Sequence, residues 1–303
     1  MKNGMDAQKE TQKEAGAAVA DPGLDHVLYR GPGIDIGLFD CPVRHPRFRD
    51  TGPARGDLLV FPRHAVHIDH GRGPVVAGRN VVMLYNHGQE YRREALSAYG
   101  DQSIWLRFDR ETVVEALAAA GKAALASERR PFTAPSTPCP AATFLAQRRL
   151  TRSLLEPTGD TGFEAIPELA LGLLADAVDR MPDAPRGRAE HLTERRHVRL
   201  ARDCRALLET AYAEALPLET LARRLATTPY HLARVFKRHA GLTVHQYVLQ
   251  LRLRAAMDRM IDTPRQRLTD LGADLGFATP SHFTSAFRRQ FGLPPSAFLN
   301  TPS

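Results

Sequence analysis

Hydrophobic residues follow two different periodicities in the two parts of the chain. From Val27 to Phe108, short apolar segments alternate with Gly, Pro and Asp, which is typical of β-strands joined by turns. From Arg110 onwards, apolar positions recur at helical spacing. The pattern predicts an α+β chain: a small antiparallel β-barrel with flanking helices, followed by an all-α domain.

The helical part repeats one pattern. Its apolar stripe occurs twice, as Leu218, Leu221, Leu225 and as Leu268, Leu271, Leu275. Each copy predicts a short helix, a turn, and a second helix that begins at a Thr-Pro pair and ends at Gly241 or Gly292. The segment Val244–Pro264 predicts one continuous helix between the copies. Two such second helices held about 34 Å apart match the helical repeat of DNA.

Positive charge is concentrated in the repeated part. The chain of 303 residues has a net charge of +7. From residue 183 to the end, 19 basic and 11 acidic side chains give +8, whereas the first 182 residues carry −1. This asymmetry favours contact of one domain with a polyanion, although a solvated basic surface remains an alternative.

The composition also argues against several other classes of protein. No apolar stretch approaches the ~20 residues of a membrane span, and the first residues lack the apolar core of a signal peptide, so we expect a cytoplasmic protein without a membrane partner. Cys41, Cys139 and Cys204 are far apart, which indicates neither a disulfide framework nor a structural zinc finger.

The repeated part contains several motifs that are typical of one protein family. They include "LTDLGADLGFATPSHFTSAFRRQFGLPPSAF", with Gly276-Phe277, His282-Phe283, Phe291-Gly292 and Pro295. The sequence from Val198 to Leu299 resembles the DNA-binding domain of the AraC/XylS family of bacterial transcription regulators. This resemblance implies two helix-turn-helix units, a homodimer, and activation through contact with RNA polymerase, with repression still possible.

The resemblance also implies which side chains meet DNA. The expected base contacts are Tyr230, Ala233, Arg234, Ser281 and Ser285. The expected phosphate contacts are Thr228, Lys237, Arg238, Thr279, Arg288 and Arg289. Arg234 is the main candidate because guanidinium can bind a guanine edge with two hydrogen bonds. A phosphate contact or a salt bridge within the domain remains an alternative for Arg234.

The segment Ala54–Ile68, "ARGDLLVFPRHAVHI", resembles the cupin-like sensor domains attached to many such regulators. An organic effector is expected in the barrel. The candidate pocket residues are Phe61, His64, His67, Tyr85, His87, Tyr91 and Trp105. Of the adjacent Arg92 and Arg93, only one can point inward, because strand side chains alternate.

A metal in the barrel is the weaker hypothesis. The possible donors are Cys41, His45, His64, His67, His70 and His87. They contain no HxH pair, and His64 and His67 point to opposite faces of a strand. We therefore predict no metal and no cofactor. The helices after the barrel carry an apolar stripe for a dimer contact or for packing within the chain: Leu169, Leu173, Leu174 and Val178.

The predicted organisation is a disordered tail (1–25), a cupin-like effector-binding and dimerisation domain (26–181), a linker (182–195) and a DNA-binding domain (196–303). The expected partners are double-stranded promoter DNA, a small-molecule effector, RNA polymerase and a second copy of the chain. Two alternatives to a non-enzymatic, effector-responsive regulator remain: a metal-dependent cupin enzyme fused to a DNA-binding domain, and a regulator controlled by a protein partner.

Overall fold

The computed structural model describes residues 23–300, except 50–52, 72, 127, 156–160 and 183–191. Residues 1–22 of the predicted tail and most of the predicted linker therefore lie outside the described residues. Within the described ranges, strands precede helices, as the periodicities predict. None of the described helices is long and apolar enough to cross a membrane.

Strands in the described ranges form two antiparallel sheets, and their bounds are β1 (Asp25–Gly31), β2 (Ile34–Cys41), β3 (Asp57–Pro62), β4 (Val66–Asp69), β5 (Pro74–Ala77), β6 (Val81–Tyr85), β7 (Arg92–Ala95), β8 (Asp101–Phe108) and β9 (Ser136–Pro138). The larger sheet has the order β1-β2-β8-β3-β6-β9, and the smaller has the order β5-β4-β7. The α+β fold class, with a small antiparallel β-domain before the helices, is confirmed.

The larger sheet is covered on both faces. Along β8, Ile104 and Leu106 point to one face, where helices complete the main hydrophobic core. Ser103 and Trp105 point to the other face, towards the interior between the two sheets. Because both faces are buried, β8 lacks a simple alternation of apolar and polar side chains.

The helices are α1 (Arg110–Ala119), α2 (Ala141–Leu155), α3 (Thr161–Arg180), α4 (Leu192–Ala211), α5 (Leu218–Arg224), α6 (Pro229–Ala240), α7 (Val244–Asp262), α8 (Leu268–Asp274), α9 (Pro280–Phe291) and α10 (Pro295–Asn300). Helices α1 to α3 pack on the larger sheet. Helix α4 begins at Leu192, inside the predicted linker.

The apolar stripe of α3 packs within the chain. Leu173, Leu174 and Val178 are buried in the main core, and Leu169 packs against that core. These side chains are already covered by the same chain, so the intramolecular alternative is correct. The stripe does not provide a dimer contact in this conformation.

The two repeated units are α5-turn-α6 and α8-turn-α9, and α7 joins them. Helix α7 ends before Pro264, as predicted. The first unit has its own hydrophobic cluster, which includes Phe236 and Tyr247. The second unit instead shares the main core: Phe291 lies 6.5 Å from Phe144 of α2, between ring centroids. Arg152 of α2 donates hydrogen bonds of 2.8 and 3.0 Å to two carbonyl oxygens of α10.

A buried polar junction joins α7 to the first half of the chain. Arg254 donates to the carbonyl oxygens of Arg79 and Cys139. One Asp258 oxygen lies 2.7 Å from Arg79 Nε and the other lies 3.2 Å from a terminal nitrogen of Arg148. Burial alone raises the pKa of Asp258, but the two arginines outweigh it and lower that pKa overall. The junction therefore holds an ionised carboxylate between two guanidinium groups.

Candidate nucleic-acid interface

The second helix of each unit is defined by its two ends. Thr228 has extended backbone angles, and its Oγ1 accepts a 3.3 Å hydrogen bond from the backbone N–H of His231. Thr279 caps α9 in the same way. Both helices end at a left-handed glycine, Gly241 with φ of 72° and Gly292 with φ of 79°. The predicted Thr-Pro starts and glycine ends are confirmed.

Each of these helices buries one side and exposes the other. In α6, Leu232, Val235 and Phe236 are buried, whereas Tyr230 is 79% exposed and Arg234 is exposed. In α9, the equivalent core residues are Phe283, Ala286, Phe287 and Phe291. The exposed positions of the two helices include every predicted DNA contact except the half-buried Ala233, namely Tyr230, Arg234, Ser281, Ser285, Thr228, Lys237, Arg238, Thr279, Arg288 and Arg289.

One open groove, with a volume of about 640 Å³, collects residues from both repeated units. Tyr230, Arg234 and Lys237 enter it from α6. His282 enters it from the first turn of α9. The tips of the two second helices therefore share one surface of the protein. Lys237 at this surface and the exposed arginines near it give that face positive charge.

Arg252 fixes the relative position of the two units. Its guanidinium donates to the carbonyl oxygens of Tyr212 at 2.7 Å, Glu214 at 3.0 Å and Gly276 at 2.6 Å. The first two carbonyls follow α4, and the third lies in the turn of the second unit. Arg252 sits on α7, so one side chain connects both units to the helix between them. The sequence pattern did not single out this residue.

A separate cavity of about 110 Å³ lies in the β-domain. Of the seven predicted pocket residues, Tyr85, Tyr91 and Trp105 line it. The indole Nε1 of Trp105 is buried and has no hydrogen-bond partner among the described residues. The other side chains that line this cavity include Phe39, Leu58, Val60, Arg47, Arg55, Asp101 and Arg107.

The other four predicted pocket residues lie elsewhere. Phe61 belongs to the main core on the helical face of the sheet. His64 stacks on Tyr99, with ring centroids 4.4 Å apart. His67 lies 4.0 Å from Glu94, and His87 is exposed. None of these four side chains lines the cavity observed, because they point away from the space between the sheets.

Of the two adjacent arginines, one points inward, as alternation predicts. Arg92 is exposed, whereas Arg93 is buried and lies 2.7 Å from Asp101. Its guanidinium also lies over the ring of Phe39, at 4.8 Å from the centroid. Burial raises the pKa of Asp101, and the neighbouring Arg93 counteracts this only in part.

Two histidines of the β-domain, His64 and His70, pack against tyrosine rings. His70 contacts the edge of Tyr85 with centroids 4.8 Å apart, and burial lowers the pKa of His70 to about 4. Burial likewise lowers the pKa of His64 to about 4. In the described ranges, a cluster of three metal donors occurs instead in the helical half of the chain, at Glu194, His197 and His239.

Known proteins resemble this chain in its helical half. Residues 221–301 match the family model described as a helix-turn-helix domain. The activator RhaS of Escherichia fergusonii is 38% identical over 90 residues, which are 30% of this chain and 32% of that protein. The bifunctional transcriptional activator and DNA repair enzyme AdaA of Bacillus subtilis is 32% identical over 91 residues, 30% of this chain and 43% of that protein. The chain thus spans less than half the length of these two curated relatives.

Among solved structures, a transcriptional regulator from Chromobacterium violaceum with an AraC-type DNA-binding domain is 23% identical, with a TM-score of 0.32. The match covers 37% of this chain and 100% of that structure. The two capped helices on one basic surface and the family match define a tandem helix-turn-helix DNA-binding domain. It is an AraC-type helix-turn-helix domain, similar to the domains of the transcription regulators named above.

Proposed function

We propose that the chain is a sequence-specific transcription regulator, and specifically an activator, whose DNA binding responds to a small molecule in its β-domain. The observation that carries the proposal is the shared groove, because Arg234 of α6 and His282 of α9 line one basic surface. A periodic double helix is the partner that two similar helices on one face can contact in successive major grooves.

Within this proposal the exposed side chains have two roles. Base edges are contacted by Tyr230, Ala233, Arg234, Ser281 and Ser285. Phosphates are contacted by Thr228, Lys237, Arg238, Thr279, Arg288 and Arg289. Long basic side chains dominate the first unit, and small hydroxyls dominate the exposed first turn of the second. The first unit therefore supplies most of the sequence discrimination.

The effector site in this proposal is the cavity around Trp105. An apolar cavity of about 150 Å³ accepts benzene, so the smaller cavity of about 110 Å³ limits the effector to a single small ring or a short chain. Tyr85 and Tyr91 supply aromatic walls, and the unpaired indole N–H of Trp105 supplies a donor. A polar group on the effector would complete that hydrogen bond.

Residues 26–181 form the effector-binding domain in this scheme, residues 182–195 form the connection, and residues 196–303 bind promoter DNA. A homodimer and contact with RNA polymerase complete the mechanism. The regulator has no catalytic role and acts in the cytoplasm, where its promoter DNA is. Effector binding changes the position of the β-domain against α7 and so alters affinity for DNA.

Selection of bound sequences from a random DNA library tests the DNA-binding part, with the purified full-length chain. We expect a paired motif with half-sites spaced by about one helical turn. The salt dependence of binding to the selected duplex measures the phosphate contribution. Binding without any sequence preference, under all conditions, would refute sequence-specific regulation.

Tryptophan fluorescence tests the effector part, because Trp105 is the chain's one tryptophan. Small single-ring compounds that enter the cavity should change its emission and also change affinity for the selected DNA. A Leu58→Trp variant fills the cavity and should abolish the response to the ligand, although its second indole requires calorimetry as the binding measurement. Ligands that bind equally well to this variant would exclude the cavity as their site.

A further inference from the structure

The strongest unassigned feature is a cluster where the first helix of the DNA-binding half meets the end of α6. Glu194 and His197 lie one turn apart near the start of α4. His239 lies in the last turn of α6. The Glu194 carboxylate is 3.9 Å from His197 Nδ1 and 3.8 Å from His239 Nε2. All three donor atoms lie within 4.8 Å of one another.

The two imidazole nitrogens that face the carboxylate are His197 Nδ1 and His239 Nε2. Both are buried, and neither has a hydrogen-bond partner within the described ranges. Their distances to the carboxylate exceed hydrogen-bond length. Unpaired buried nitrogens that converge on an acidic oxygen require an explanation.

We propose that Glu194, His197 and His239 form a binding site for a divalent transition-metal ion of the zinc class. Two imidazoles and one carboxylate are a recurring donor set for Zn²⁺, with a fourth position left for water. Bonds of about 2.0–2.2 Å in a tetrahedral site require donor atoms roughly 3.4 Å apart. Because the observed separations reach as much as 4.8 Å, the three side chains would have to approach one another when the ion binds.

Arg238 would compete with the ion for the Glu194 carboxylate. Arg238 lies 3.4 Å from the Glu194 carboxylate, but its side chain is 67% exposed and can turn to solvent. The His197 and His239 side chains are only 17% and 16% exposed, so water competes little for the two imidazoles. A bound cation replaces Arg238 as the partner of Glu194 and releases that guanidinium.

The released guanidinium gives the site a consequence for DNA, which rests on the proposed function. Arg238 is one of the proposed phosphate contacts. Metal binding at Glu194 would free it for the DNA backbone and also connect α4 to the end of α6. The ion should therefore strengthen DNA binding and make the salt dependence steeper by about one phosphate contact.

The test begins with metal binding in the absence of DNA. The full-length chain is stripped with a chelator and titrated with Co²⁺ and Zn²⁺, followed by calorimetry and the visible absorption of Co²⁺. We expect one ion per chain and a spectrum typical of four-coordinate Co²⁺. His197→Gln and His239→Gln should each weaken binding at least about tenfold, and Glu194→Gln should do the same. The exposed His26 supplies the matched control, His26→Gln, which should bind as the wild type does.

Circular dichroism of each variant establishes that it is folded, and the Glu194→Gln variant is the safest because its side chain is partly exposed. Absence of binding near one equivalent, or unchanged affinity in all three cluster variants, would overturn the site. The DNA arm then compares the salt slope with and without Zn²⁺ in the wild type and in Arg238→Gln. Unchanged slopes would reject only the coupling, and a chain that binds metal but never DNA would reject only the proposed function.

Discussion

The Asp258 carboxylate lies 2.7 Å from Nε of Arg79, and both side chains are at most 6% exposed. Asp258 belongs to the helix that joins the two DNA-binding units, and Arg79 belongs to the turn between β5 and β6. Arg148 approaches the same carboxylate from α2. One buried anion thus connects three separate parts of the chain.

Asp258→Asn should destabilise the protein by about 3 kcal/mol, because it leaves two buried guanidinium groups without a counter-ion. The matched control is Asp262→Asn, one turn further along α7, where the partner Arg63 and the carboxylate are both partly exposed. The control should cost less than about 1 kcal/mol. Urea unfolding measures both changes, and equal losses in the two variants would contradict the importance of the buried junction.

Arg234→Ala should lower affinity for the selected DNA by about 1–3 kcal/mol and relax preference at one base position. Lys237→Ala, three residues along the same helix, should weaken all sequences alike and reduce the salt slope by about one. Fluorescence anisotropy with single-base variants of the duplex separates the two outcomes. A uniform loss with Arg234→Ala would mean that this side chain contacts phosphate instead of a base.

Two glycines with the same backbone conformation should differ in their tolerance of alanine. Gly292 has φ of 79° and open space around it, so Gly292→Ala should cost about 1 kcal/mol for the left-handed conformation. Gly276 has φ of 80°, and an added Cβ would lie 2.4 Å from the carbonyl oxygen of Ala213. Gly276→Ala should therefore cost at least about 2 kcal/mol more. Thermal unfolding measures the loss of stability in each variant. Near-identical losses in the two variants would contradict the close backbone approach at Gly276.

Acidification should destabilise the β-domain through His70. Burial lowers the pKa of His70 to about 4 from an ordinary value of 6.5, so below pH 6.5 the unfolded chain binds the proton first. This contribution is present above pH 6.5 and is lost as the pH falls towards 4. His70→Gln should remove about 2 kcal/mol of the difference between the free energies of unfolding at pH 6.5 and pH 4.5. His26→Gln should keep the wild-type dependence, and an unaltered profile in the His70 variant would show that other groups cause the acid sensitivity.

Local features of the helical half could be predicted because they depend on neighbours in sequence. A threonine before a proline begins a helix, and a glycine ends it. In the structure, Thr228 begins α6 and Gly241 ends it. In α7, Tyr247, Leu251, Ala255 and Met260 recur at helical spacing in the sequence, and all four are buried.

Long-range relationships could not be predicted in the same way. Arg254 and Asp258 have the character of a solvated helix face, and only the approach of residues from the first half of the chain buries them. Phe61, a predicted pocket residue, lies on a strand with apolar residues on both faces. The helices cover one of these faces, and the sequence pattern does not indicate which face encloses the cavity.

The cluster of Glu194, His197 and His239 was missed for a related reason. Its spacing within α4 is an ordinary helical interval, and the third donor comes from another helix. Spacing within one segment does not reveal this cluster, because His239 lies far from Glu194 and His197 in the sequence.

The unequal burial of the two DNA-binding units limits how this protein can be recombined with its relatives. The first unit closes its own hydrophobic cluster, so it can be exchanged as a module. The second unit completes its core with Phe144 and other side chains of the first half. A chimera cut at residues 183–191 would therefore place a foreign second unit against an unsuited surface. The exchangeable block for engineering a new DNA specificity is the first unit together with α4 and the start of α7, which adds Tyr247 and Leu251 to the same cluster.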